Sequence, residues 1–144
     1  MPEKETLERA RKDKREGKAP STQAGEFVRE EIEHIREGKH GARSTKQAIA
    51  IGLSKARRAG VDLPPSKGAS EEVKEQAKRD TRKAKSRKRP SATRSRATRK
   101  ALKREGHSAA SKEALSRQAR SAAKKRSAAS RSRSAKKAAA TRKK

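Results

Sequence analysis

Large apolar side chains are scarce in this chain, and that scarcity limits the folds open to it more than any other feature. Only 14 of the 144 residues are Met, Phe, Ile, Leu or Val, against 26 alanines. Nine of the 14 lie between Phe27 and Leu63, and beyond Asp80 just Leu102 and Leu115 remain. Burial of apolar area is the main force that offsets chain entropy, so a core of ordinary size is out of reach. The expectation is a marginal helical mini-domain over residues 21–65, helped by self-association or a protein partner. Around it stand a charged lead-in (1–20), a linker with a polar helix (66–90) and a low-complexity basic tail (91–144). The remainder is expected to bury no core.

Within the mini-domain the apolar spacing is helical. Ala24, Phe27, Val28, Ile32 and Ile35 share one side of a helix over Ala24–Glu37, interrupted by Glu31. Ser21 or Thr22 is the expected cap, after a break at Gly17–Pro20. Glu30, Glu31, Glu33 and Glu37 read as a solvated acidic face. Gly38 is a natural C-cap. Ser44 with Gln47 forms a capping box that opens a second helix over Thr45–Ala59, closed by Gly60, with Val61 placed to pack back on Ala56. Ala48, Gly52 and Ala56 make a row of small residues that lets a neighbouring helix come close. The fold class expected is all-α: a two-helix hairpin (about 24–37 and 45–59), flanked by a charged N-terminal helix. A third helix starts at Ser70 and runs toward Arg89, before Pro90. The Arg-Glu-Gly triplets at 15–17, 36–38 and 104–106 each read as a helix ending on glycine.

Charge is distributed very unevenly. Residues 81–144 carry 25 Lys/Arg and two acids, Glu105 and Glu113, a balance of +23; residues 1–80 carry 19 bases and 15 acids, a balance of +4. Together they give the total of +27. A chain so asymmetric is suited to a polyanion, above all nucleic acid. Like charges oppose helix, so the tail is expected to be disordered when free and to gain helix on neutralisation by phosphates. With Phe27 the one aromatic residue, stacking of single-stranded bases is disfavoured.

The expected nucleic-acid contacts fall in two groups. Lys39 and Arg43 flank the amides that open the second helix, a seat for a backbone phosphate. The loop does not fit a nucleotide P-loop, because Ala42-Arg43 stands where Gly-Lys is required. Lys46, Lys55, Arg57 and Arg58 form a basic face on that helix. In the tail the residues are Arg87, Lys88, Arg89, Arg94, Arg96, Lys124, Lys125, Arg126, Arg131 and Arg133.

Other chemistry finds little footing. Cysteine is absent, which excludes disulfides and thiol catalysis. His34, His40 and His107 show no metal-ligand spacing, and no nucleophile, base and oxyanion donor come together. The expectation is a protein that is not an enzyme and has no metal or cofactor. No apolar run resembles a signal peptide or a membrane span, and the tail lacks the aromatic or Leu anchors of a membrane-surface binder. A location in the cytoplasm or nucleoid is expected, or in the nucleus of a eukaryote, where Lys83 to Pro90 would serve for import.

The stretch KHGARSTKQAIAIGLSKARRAGV, Lys39 to Val61, resembles a bacterial family of short basic proteins of uncharacterised function, labelled histone-like or plasmid-stabilisation proteins. The tail end SAAKKRSAASRSRSAKKAAATRKK is similar to the C-terminal domains of linker histones. The first resemblance implies a bacterial source, and hence the cytoplasm or nucleoid. The function expected is sequence-independent DNA binding by phosphate neutralisation. The alternatives are an RNA-binding or ribosome-associated protein, and a DNA-tethered adaptor whose hairpin binds a protein.

Overall fold

The computed structural model describes residues 1–86 and 88–143. Its elements among these residues are α1 (Lys4–Arg15), α2 (Pro20–Arg36), α3 (Thr45–Arg58), α4 (Glu71–Lys85), α5 (Ala92–Lys103), a 3-10 turn (Ser108–Ala110), α6 (Lys112–Lys124) and α7 (Ala128–Arg142). The all-α class stands. No helix is long and apolar enough to cross a membrane among the described residues.

Local signals explain the helix ends. Pro20 occupies the first turn of α2, where its missing N–H is not needed and its fixed φ suits the helix, so the helix starts earlier than Ser21 or Thr22 would have it. Ser44 accepts from the Gln47 amide at 3.2 Å, and Gln47 reaches back to the Arg43 amide at 2.7 Å. Gly38 adopts a left-handed φ of 75°, and Lys39 N–H closes onto the His34 carbonyl at 3.0 Å. Gly60 ends α3 in the same way, with Val61 N–H on the Ala56 carbonyl. Of the three Arg-Glu-Gly triplets, those at Gly17 and Gly38 end helices in the left-handed conformation, whereas Gly106 does not.

The two-helix hairpin is corrected to a larger assembly. α2 packs on α3, but α1 also packs on α2 and α4 on α3. Two apolar clusters result. One joins α1 to the hairpin: Ala10, Ala24, Phe27, Ala56 and Val61, with Leu7, Leu53 and Leu63 against them. The other joins α2 and α3 to the C-terminal region: Ile32, Ile35, Ala42, Ala48, Ala109 and Ala110, with Val28 and Leu115. Eight of the twelve buried apolar residues are alanine. Alanine allows helices to approach closely, and its small area was what the count of large side chains left out. At Gly52 α3 comes close to α2: a Cβ there would lie 2.7 Å from Val28 Cα.

The expectation of a disordered tail that buries no core is overturned. Ser91, Ser111 and Ser127 cap α5, α6 and α7 with their hydroxyls, supplying helix starts that the low-complexity reading overlooked. Alanine-rich interiors then favour helix, and each like-charge pair costs only a few tenths of a kcal/mol. The segment between α5 and α6 is moreover built into the core. Gly41 and Ala42 donate their amides to the Leu102 and Gly106 carbonyls at 2.9 and 3.0 Å. Arg36 Nε donates to the Ala110 carbonyl at 2.9 Å.

Candidate nucleic-acid interface

The cations of this chain divide by whether an acid meets them. Every ion pair among the described residues lies at or before Asp80. The residues expected on the basic face of α3 are largely engaged inside the fold. Lys55 Nζ lies 2.6 Å from Glu31 Oε2. Arg57 is buried and donates Nε to the Leu63 carbonyl at 2.9 Å. Arg58 Nε lies 2.8 Å from Asp80 Oδ1, which fixes α4 against α3. Lys46 alone of this group is exposed without an ion pair among the described residues.

The expected phosphate seat is also altered. Lys39 pairs with Glu37 at 3.0 Å and Glu3 at 3.3 Å, and these carboxylates hold its ammonium above the ordinary lysine value. Arg43 stays exposed. At the start of α3 the Arg43 amide donates to Gln47 Oε1 and the Gln47 amide to Ser44 Oγ, and in the loop before it the Gly41 and Ala42 amides donate to the chain's own carbonyls. A phosphate arriving here would find Arg43 and Lys46 exposed, with those amides already engaged.

The tail residues fare differently. Lys88 and Arg89 are exposed between α4 and α5; Arg94 and Arg96 are exposed on α5. Lys124 and Lys125 sit at the end of α6, and Arg126 donates to the Ser130 and Ser134 hydroxyls at the start of α7. Arg131 and Arg133 are exposed on α7. Arg87 lies outside the described residues. α5 and α7 bury no residue and carry no acid. They are therefore helices whose cations are presented along a rod with 1.5 Å rise per residue, with no internal counter-charge.

The acids expected on a solvated face prove partly internal. Glu30 and Glu31 are only 2% and 1% exposed. Glu31 Oε1 lies 2.9 Å from His40 Nε2, and a ligand-type atom of His34 lies within 4.8 Å of both, although the sequence spacing of these histidines showed no metal site. Asp80, fully buried, accepts from Ser54 Oγ at 2.7 Å, Arg58 Nε and Gln76 Nε2 at 3.2 Å. Burial pushes its carboxyl up, but these donors prevail and hold it below the usual aspartate value. The signal for both was an acid on a helix face between apolar residues, Glu31 beside Ile32 and Asp80 three after Ala77.

Comparison with known proteins adds one match. The model of a family of unknown function (DUF6496) matches residues 4–67, the part from α1 to just past α3. No curated protein and no solved structure matches the chain.

Proposed function

We propose that this protein binds nucleic acid without sequence preference, with duplex DNA favoured, by setting the cations of its C-terminal helices against backbone phosphates. The observation that carries the reading is the division of ion pairs: nine of the 19 bases up to Asp80 pair with an acid, and beyond it the cations on α5, α6 and α7 have no ion pair among the described residues. Keeping 25 cations beside two acids raises the self-repulsion of the free protein, and a polyanion relieves it. The rigid presentation on helices gives the phosphates an ordered array to meet. Selectivity for DNA over RNA is not encoded by phosphate contact itself, which both polymers offer.

The test is the salt dependence of binding to a short duplex, read by fluorescence anisotropy. With about ten phosphates engaged, log K against log salt has a slope near −9. A slope shallower than about −3 overturns the proposal, because only a few phosphates would then be contacted. Competition with structured RNA in the same assay decides between the two polymers: preferential displacement by RNA moves the assignment to RNA.

A further inference from the structure

Glu30 Oε1 is a buried carboxylate oxygen with no hydrogen-bond partner among the described residues. Two nitrogens stand off from it at 3.9 Å: His34 Nε2 and Lys55 Nζ. An orphaned carboxylate oxygen in such a place costs stability unless a cation reaches it. Beside it, Glu31, His34 and His40 each offer one ligand-type atom, all within 4.8 Å of one another.

The chain builds this cluster by two devices. Glu31 and His34 are three residues apart on α2, which puts both on one face. The left-handed Gly38 then turns the chain back so that His40 faces them. His40 is oriented from behind: its Nδ1 lies 2.9 Å from the Gly41 carbonyl, an acceptor only. Nδ1 is thus placed to donate to that carbonyl, and Nε2 is directed at Glu31 Oε1, 2.9 Å away. A backbone carbonyl that fixes the tautomer of a ring is the usual support of a metal-binding histidine. On the other side, His34 Nε2 lies 2.9 Å from Glu3 Oε1.

We propose that Glu31, His34 and His40 bind a divalent zinc-class metal ion, with Glu30 Oε1, 3.9 Å from His34 Nε2, as the neighbouring fourth donor. Two imidazoles with carboxylates are a donor set suited to zinc, cobalt or nickel. Tetrahedral zinc with bonds of about 2.0–2.1 Å holds its donors about 3.3 Å apart, so the cluster closes on the ion by side-chain adjustment of the order of 1 Å. Lys55, bonded to Glu31 Oε2, leaves Oε1 for the metal. The ion would fasten the end of α2 to the Gly41–Ala42 loop, the same loop that receives the C-terminal segment. It would act in the fold and not in catalysis.

The experiment uses the full chain stripped with chelator, titrated with zinc by calorimetry and followed by thermal melting. The expected result is one equivalent bound and a melting temperature that rises with zinc concentration. Cobalt in its place should give visible absorption bands of four-coordinate nitrogen and oxygen ligation. The double variant His34→Gln, His40→Gln should bind zinc about tenfold more weakly or worse, while His107→Gln binds as the parent does. Should the double variant fail to fold, the histidine ring signals of the parent protein decide by NMR: zinc must shift His34 and His40 and leave His107 in place. An unchanged melting temperature with zinc in large excess, equal affinity in the folded double variant, or zinc-induced shifts confined to His107 would each overturn the proposal.

Discussion

Thr45 donates its hydroxyl to the backbone carbonyl of Ala109, 64 residues further along the chain, at 2.7 Å in a buried position. This bond seats the segment between α5 and α6 on the first turn of α3, where Ala109 and Ala110 meet Ile32, Ile35 and Ala48. The basic C-terminal region is thus attached to the bundle by specific contacts. Thr45→Val keeps the shape and removes the donor. It should cost about 1–2 kcal/mol in urea unfolding, since the buried carbonyl loses its partner. Protease cleavage near residues 104–111 should quicken in the variant; unchanged stability and cleavage would show that the contact contributes nothing.

Two glycines in helices make a matched pair for a second prediction. Gly25 in α2 has nothing within 4 Å of an added Cβ, whereas at Gly52 in α3 that atom would lie 2.7 Å from Val28 Cα and 3.0 Å from its amide nitrogen. Helix propensity favours alanine over glycine by about 1 kcal/mol at either site. Gly25→Ala should therefore stabilise the protein by about 0.5–1 kcal/mol. Gly52→Ala must force α2 and α3 apart, and overpacking of about 1–3 kcal/mol outweighs the propensity gain. Opposite signs in the two denaturation curves are expected; a stabilising Gly52→Ala would mean that the helices do not approach this closely.

Asp80 gives the fold a dependence on acid. Its folded-state carboxyl is held below the ordinary value of 3.8, because the donors Ser54, Arg58 and Gln76 outweigh the opposing effect of burial. A depressed carboxylate contributes stability that is complete above 3.8 and is lost as the pH falls through the folded value. Acidification below about pH 4 should therefore loosen α4 from α3, visible as exchange of the Ala77 amide. Asp80→Asn removes the charge and should cost about 1.5–3 kcal/mol at neutral pH. It should also flatten the acid limb of the stability curve, and an Asn variant with an unchanged acid limb would assign that limb to other carboxylates.

How much of this was open to sequence reading differs from element to element. Gly38, Gly60 and the Ser44–Gln47 pair act on their own neighbours within a few residues, and each sits in the structure where local rules place it. Glu31 already lay in the apolar stripe and was misread only because it was grouped with the other acids, whereas Glu30 was misplaced because a helical wheel assumes one buried side, while α2 is covered by α1, by α3 and by the loop carrying His40. Ala109 and Ala110 left no signal, since alanine counts for little in an apolar tally yet fills the narrow space between closely packed helices. The capping serines at 91, 111 and 127 were visible but hidden among eleven serines of the tail. The convergence of His34 and His40 depends on the turn at Gly38 and could not be read from spacing alone.

The attachment of residues 102–110 also decides how the proposed nucleic-acid binding must be dissected. A chain cut after Asp80 loses the Ala109 and Ala110 carbonyls that Thr45 and Arg36 hold, so weaker binding by it would confound charge with folding. A cut after Lys125 spares every buried residue, because α7 buries none. It removes eight cations: Arg126, Arg131, Arg133, Lys136, Lys137, Arg142, Lys143 and Lys144. If about ten cations engage phosphate, drawn evenly from the 25 beyond Asp80, the salt slope should fall in magnitude by about 3. Stability in urea should stay within about 0.5 kcal/mol of the full chain. A slope that does not change would confine the contacts to α4, α5 and α6; a slope that collapses would place nearly all of them on α7.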